Sequence, residues 1–309
     1  MRTMAIRLFS VMIALAMAAS LQTTPAPIIG RWNLTFQRQD GTSSSGWLEV
    51  RHSGNKTLVG SFVGLSGSAR PVSEVQFADN QMKFTIPPQW ERADGNVTVT
   101  ARLENDRLTG TMAIGTAAPL PLSGVRAPAL RRTSAPQWDK PEPLFNGRDL
   151  TGWHVMGANE WEAVDGILRN KKSGGNIVTD ATFNDFKLHA EFRYPANGNS
   201  GMYLRGRYEV QVADTGSELA LDSLGAIYGF LEPSDPAAKK PGEWQTFDVT
   251  LVGRMVTVVL NGTTIISNRE IPGPTGAALD SNEGAPGPLL LQGDHTAIEY
   301  RNITIARGR

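Results

Sequence analysis

The stretch Asn199-Ser200-Gly201-Met202-Tyr203-Leu204-Arg205-Gly206-Arg207-Tyr208-Glu209-Val210-Gln211-Val212-Ala213-Asp214 decides how this chain is read. Turn residues open it (Asn197-Gly198-Asn199-Ser200-Gly201), and an alternation of period two follows, as in a strand with two unlike faces. Met202, Leu204, Tyr208, Val210 and Val212 make an apolar set predicted to face a core. Arg205, Arg207, Glu209 and Gln211 alternate with them as a polar row. The solvated face of an antiparallel sheet accounts for such a row. So does a face that brings a cation, a carboxylate and an amide onto one polar ligand.

The flanking sequence is of the same kind. Trp161-Glu162-Ala163-Val164-Asp165-Gly166-Ile167-Leu168 reads as strand, Asp-Gly turn and strand, a hairpin. Phe186 to Tyr194 alternates, with Phe186, Leu188, Ala190, Phe192 and Tyr194 on one side. A Gly- and Pro-rich excursion runs from Thr215 to Pro241. Trp244 to Val252 and Met255 to Leu260 are β-branched runs joined by Gly253-Arg254, and Asn261-Gly262 is the strongest hairpin signal in the chain. Leu289 to Gln292 and Ile298 to Ile305 close the series. Antiparallel strands in this number predict a two-sheet jelly roll whose loops build a cleft over one concave sheet.

Residues 28–126 form a different all-β unit. Short strands (Arg31–Phe36, Trp47–Val50, Thr57–Phe62, Val72–Phe77, Gln81–Ile86, Asn96–Ala101, Leu108–Met112) recur with Gly, Asn and Asp between them, as in a small β-barrel or sandwich. Trp32 is expected to plug the barrel end, and His52 to be a solvated turn residue beside Ser53-Gly54-Asn55. The unit is assigned no chemistry. Residues 127–143, with Pro128, Pro136, Pro141 and Pro143 among Arg131, Arg132 and Lys140, form a linker. That leaves residues 144–309 for the jelly roll. Residues 1–20 resemble a secretory signal: Arg2 and Arg7, an apolar run from Leu8 to Ala18, and Ala16-Met17-Ala18 for cleavage. The run is shorter than the ~20 residues of a membrane span. The expected mature protein is exported and free of the membrane.

Composition excludes several classes of function. Thirty Lys and Arg balance 30 Asp and Glu, so no basic excess is available to neutralise nucleic acid. With no cysteine, disulfides, thiolate metal sites and cysteine nucleophiles are excluded. Thirty-two glycines and 19 prolines without long helix-period runs favour an all-β chain.

Several short motifs occur in order: Leu144-Phe145-Asn146-Gly147 through Trp153, Trp161 with Asp165-Gly166, Asp185-Phe186 with Leu188, Asn199-Ser200-Gly201 with Arg205, and Tyr208-Glu209-Val210-Gln211 with Asp214. Gly225-Ala226-Ile227-Tyr228, Gly242-Glu243-Trp244, Asn261-Gly262, Leu291-Gln292 with His295, and Arg301-Asn302-Ile303 follow. Over about Leu144 to Ala306 this series resembles the 3-keto-disaccharide hydrolase domain family, whose fold is a concanavalin-like jelly roll. Gln245 stands where the family has Asn, and Gly293 is inserted ahead of Asp294-His295.

The resemblance implies hydrolysis of a carbohydrate substrate already oxidised to a ketone at carbon 3. The ketone acidifies the hydrogen on carbon 2, a base removes it, and the enolate expels the group on carbon 1 before water adds back. Such a route needs a base, a partner for the enolate oxygen and an acid. Glu209 is the implied base, Arg205 the enolate partner, and His295 the acid or the ligand of a divalent cation, the one cofactor the pattern leaves room for. Gln211, Asp214, Tyr228, Glu243, Trp244 and Gln292 are the candidate substrate contacts, Tyr228 and Trp244 as faces for a pyranose. Each has a plainer reading. Glu209 and Arg205 can pair on one strand face, His295 can be solvated, Asp214 can cap the excursion, and Trp244 can pack in the core. His154 and His189 are read as structural.

A lectin-like carbohydrate-binding protein is the alternative, since fold does not fix function. It needs amides and aromatics but no base, so Glu209 and His295 meeting in one cleft would favour an enzyme. An ordinary glycosidase would need two acids ~5–9 Å apart, and the parity and separation of Glu209 with Asp214 or Glu243 argue against it.

Overall fold

Left-handed residue pairs mark the hairpins of this chain. Asp79-Asn80 (φ 51° and 60°), Asn105-Asp106 (48° and 60°), Asp165-Gly166 (51° and 78°) and Asn261-Gly262 (50° and 82°) each join two antiparallel strands. Positive φ at both central positions matches the right-handed twist of the strands they connect. The computed structural model describes residues 26–89 and 95–309, which hold no helix. The segment expected to be a secretory signal lies outside the described residues.

The N-terminal half is one sheet of nine strands: β1 (Gly30–Gln37), β2 (Ser43–Ser53), β3 (Thr57–Val63), β4 (Arg70–Val72), β5 (Gln76–Ala78), β6 (Gln81–Ile86), β7 (Val97–Glu104), β8 (Arg107–Ile114) and β9 (Leu120–Arg126). Their order is β4-β3-β2-β1-β9-β8-β7-β6-β5, so the two edge strands are neighbours in sequence and the sheet curls on itself. Alternate residues such as Trp32, Leu34, Phe62, Phe84, Val99 and Leu122 fill its inside. Trp32 is fully buried, donates from Nε1 to the Ile28 carbonyl at 2.9 Å and carries the Arg126 guanidinium 3.8 Å above its ring. The expected strand Val72–Phe77 is broken at residues 73–75, and β9 is an addition. Its Pro121 pairs with Thr111 on one side only, where a strand tolerates the missing N–H.

The C-terminal half is a two-sheet jelly roll. One sheet is formed by β10 (Glu142–Pro143), β12 (Trp161–Val164), β13 (Ile167–Asn170), β15 (Phe186–Arg193), β18 (Gln245–Val252), β19 (Met255–Leu260), β20 (Thr263–Glu270) and β22 (Ile298–Arg307). The other, in the order β11-β14-β21-β16-β17, contains β11 (Trp153–Met156), β14 (Asn176–Thr179), β16 (Asn199–Leu204), β17 (Tyr208–Ala213) and β21 (Leu290–Leu291). Phe186, Leu188, Phe192, Phe247, Tyr300, Met202, Tyr208 and Val210 meet between them. Gln245 is buried and bonds both backbone groups of Lys239 at 2.9 Å, pinning the end of the excursion.

The single strand expected through Met202–Val212 is in fact the hairpin β16–β17. Arg205 (φ 55°) and Gly206 (φ 67°) form its turn, closed by Arg207 N–H to the Leu204 carbonyl at 3.1 Å. The apolar parity survives the turn, which is why the alternation looks unbroken in the sequence. The polar row is not a solvated face either, for every residue of β17 is buried. The connection between β20 and β21 and the N-terminal sheet lie over it.

The two halves touch through named pairs. Arg31 Nη1 reaches Glu270 Oε1 at 2.6 Å, Asn33 Nδ2 donates to the Ser281 carbonyl at 3.0 Å, and Trp47 meets Phe230 edge-on at 5.2 Å. The expected linker is fastened to the second half. Gln137 and Arg309 exchange backbone hydrogen bonds, β10 pairs with β22, and Arg132 grips both carboxylate oxygens of Asp185.

Candidate functional site

On the outer face of the hairpin, Tyr203 stands opposite Glu209 and Gly201 opposite Gln211. These side chains floor a pocket of about 210 Å³ that is also lined by Asn199, Asp222, Tyr228, Gly276, Ala277, Gln292 and His295, and by Ser66 and Gly67 of the N-terminal half. The excursion brings Tyr228 here because its N–H donates to the Glu209 carbonyl at 3.0 Å, alongside an isolated bridge between Val210 and Ile227. It thereby covers the otherwise open edge of β17.

Glu209 is 4% exposed, and among the described residues no cation is bonded to it. Its Oε2 lies 2.8 Å from the Tyr203 hydroxyl, which also lies 3.1 Å from the Gly276 carbonyl. Turned to satisfy its partners, the Gln211 amide donates to Glu209 Oε1 at 3.1 Å and to the Ser200 carbonyl at 3.2 Å. The carboxylate lies directly over Gly201, where a Cβ would come within 2.3 Å of Oε1. Burial pushes the Glu209 carboxyl up to about 8, against the opposing pull of the Tyr203 hydrogen bond and of nearby His295. At neutral pH it is largely protonated. The Tyr203 hydroxyl then donates to Gly276 and accepts from Glu209, so every proton has a place.

His295 follows the inserted Gly293, whose N–H is held by Asn176 Oδ1 at 2.8 Å and whose α-carbon leaves no room for a side chain beside Trp161. The insertion is thus absorbed against Trp161, and His295 reaches the pocket. Its Nδ1 contacts Asp294 Oδ1 at 2.8 Å, which leaves Nε2 available. That bond raises the imidazole above its usual value, while the same contact lowers Asp294. Gln292 lines the pocket and is buried, and its Oε1 has no hydrogen-bond partner among the described residues.

The structure thus brings together Glu209, His295, Gln211, Tyr228 and Gln292 from the expected set. It places the others elsewhere. Arg205 sits in the turn, 1% exposed, with Nη2 donating to the Glu283 carbonyl and its guanidinium 5.4 Å from the Tyr208 ring. It neither lines the pocket nor pairs with Glu209, because the turn removes it from the face that carries Glu209. Asp214 accepts from Asn197 N–H at 2.8 Å and caps the turn before β16. Glu243 is exposed and caps Lys240 N–H at 2.9 Å. Trp244 has the guanidinium groups of Arg193 and Arg301 over its ring, at 4.7 and 4.0 Å, in place of a sugar. His154 and His189 pair with Asp180 and Asp248 away from the pocket. Among the described residues no group of three or more His, Asp or Glu is placed to hold a metal ion.

The pocket also contains residues the sequence did not single out. Tyr203 has the parity of the polar row but reads as one more aromatic of a core strand. Ser66, Gly67, Gly276 and Ala277 come from connections with no motif.

Residues 140–306 match the 3-keto-alpha-glucoside-1,2-lyase-like domain. The chain belongs to this family. Of the solved structures similar to this lyase-like chain, one candidate glycosyl hydrolase from Parabacteroides distasonis is 33% identical, covers 53% of this chain and 82% of its own, and has a TM-score of 0.47. A second from the same organism is 28% identical over 54% of this chain and 98% of its own, with a TM-score of 0.44. The carbohydrate-binding module CBM66 of Bacillus subtilis is 15% identical over 51% of this chain and 97% of its own, with a TM-score of 0.37. Among curated proteins none matches the chain. The lyase-like match ends short of the N-terminal sheet, so Ser66 and Gly67 have no counterpart within the matched domain.

Proposed function

We propose that the chain cleaves glycosides whose sugar ring carries a ketone at carbon 3, with Glu209 as the base. The observation that carries this reading is a buried carboxyl at the floor of a small pocket, its proton affinity raised into the working pH range, with an imidazole at the same pocket. General bases are effective when their pKa lies near the operating pH.

In the proposed sequence Glu209 takes the proton from carbon 2, and the electron pair of that C–H bond delocalises onto the carbon-3 oxygen. The Tyr228 hydroxyl, with Gln292 or Gln211 oriented nearby, is suited to meet this oxygen; Arg205 is not. The enolate pair then forms the C1–C2 double bond as the C1–O bond breaks. His295 supplies a proton to the leaving oxygen. Water adds at carbon 1 and gives its other proton to His295, Glu209 returns its proton to carbon 2, and the products are the 3-keto sugar and the free aglycone. The family description names the first half of this sequence, and the convergence of Glu209 and His295 supports it over a lectin, which needs no base.

Purified protein incubated with 3-keto-glucosides and with the unoxidised glucosides, with and without chelator, tests the reading. Release of aglycone from the keto compounds alone, with deuterium from heavy water entering carbon 2, is the expected result. Binding of both without cleavage would leave a carbohydrate-binding protein, and loss of activity with chelator would place a cation in the site.

A further inference from the structure

We infer that the turn Ser66-Gly67-Ser68 of the N-terminal sheet is a working part of the substrate pocket: it limits the size of ring admitted, and Ser68 is a positioning residue for Tyr228. The inference rests on the function proposed above. β3 ends at Val63 and β4 starts at Arg70, so the turn projects from one edge of the curled sheet. Ser66 and Gly67 line the same pocket as Glu209 and His295.

Three separate contacts seat the turn. A Cβ on Gly276 would stand 2.4 Å from the Gly67 carbonyl oxygen and 2.7 Å from its nitrogen, so backbone lies on backbone with no space between. A Cβ on Gly229 would stand 2.7 Å from the Ser68 α-carbon. Burial raises the Tyr228 phenol above its ordinary value, and a side-chain hydrogen bond with Ser68 opposes that rise. The bond ties the Tyr228 hydroxyl to the turn beside the pocket. Glycine on both sides of the contact makes it a fitted one.

The pocket so closed, at about 210 Å³, is smaller than the ~300–1,000 Å³ common for small-molecule sites. It suits one pyranose ring, with the rest of the glycoside outside. The matched domain supplies the base and the acid, while the preceding half supplies a size limit and the orientation of one phenol.

Three variants of the full chain test this: Ser68→Ala, Ser68→Thr and Ser66→Trp. Each is assayed on an aryl 3-keto-glucoside and titrated with 3-keto-glucose by calorimetry, with thermal melts to confirm folding. Ser68→Ala should lower kcat about five- to tenfold, the size of one neutral hydrogen bond. It should leave KM near wild type, because the bond positions Tyr228 and does not hold the substrate. Ser68→Thr should restore kcat. Ser66→Trp should raise KM and weaken binding of 3-keto-glucose at least tenfold at an unchanged melting temperature. An active wild type with Ser68→Ala and Ser66→Trp indistinguishable from it removes this inference alone. A wild type that neither cleaves nor binds the keto compounds removes the function proposed above, and this inference with it.

Discussion

Glu209 is the residue whose physical state matters most. Glu209→Gln keeps shape and hydrogen bonding, because a Gln amide can donate to the Tyr203 oxygen as the protonated acid does. Turnover should fall about 10²–10⁴-fold, the usual worth of a general base, with binding retained and carbon-2 exchange lost. Full exchange in the variant would hand the role to His295. The same substitution should stabilise the fold at high pH. The Glu209 carboxyl is raised from 4.5 to about 8, so between these values the folded state holds a proton that the unfolded chain has released. Stability therefore declines as pH rises through this window, and above about 8 the whole contribution is lost. Wild type and Glu209→Gln should melt together near pH ~5, and the variant should melt several degrees higher above about 8, by the general size of such linkage. Activity runs the other way. The base works ionised, which favours pH above 8, and His295 works protonated, which favours pH below its raised value. The two demands give a bell whose limbs belong to the pair.

At the scale of elements, the hairpins divide into those a sequence announces and one it conceals. Asn261-Gly262 and Asp165-Gly166 advertise left-handed turns, and their strands were legible. Arg205-Gly206 does the same job with a side chain rarely found there, and it preserves the parity of the apolar residues across the turn. For that reason the jelly roll could be read while the position of Arg205 could not. The parity of Glu209 and Gln211 was legible; what buries them was not, since it lies in connections without periodic pattern. One of these, between β20 and β21, is held by Glu283, which is fully buried. Arg254 meets both its carboxylate oxygens at 2.8 Å, and Tyr208 donates at 2.6 Å. Glu283→Ala strands the buried Arg254 cation and should cost about 3–5 kcal/mol, read as a lower urea midpoint with an unchanged slope. The pair Glu283→Leu with Arg254→Met should cost much less. Equal losses in both would mean that packing, not charge, holds this connection.

For the whole molecule, the partition into two halves is a proposal with a clear test. The two large hydrophobic clusters draw on separate stretches, Ile28–Leu122 and Phe145–Ile305. Between them, Arg126 is tied to the first half through Trp32, while Gln137 and Asp139 hydrogen-bond the C-terminal strand region. Residues 131–135 are exposed. Trypsin should therefore nick first after Arg131, leaving most of the proline-rich segment attached to the second half. The nicked halves should still elute together. Arg31–Glu270, Asn33 and Thr35 on Ser281, Trp47 against Phe230 and the turn at Gly67 all cross between them, and none depends on an intact chain. Nicked protein that co-elutes and keeps its activity on an aryl 3-keto-glucoside would fit two cores sharing one site. Separation with loss of activity would show that the covalent link holds the pocket together. Digestion of both halves at one rate would mean a single cooperative unit, and the partition would fall.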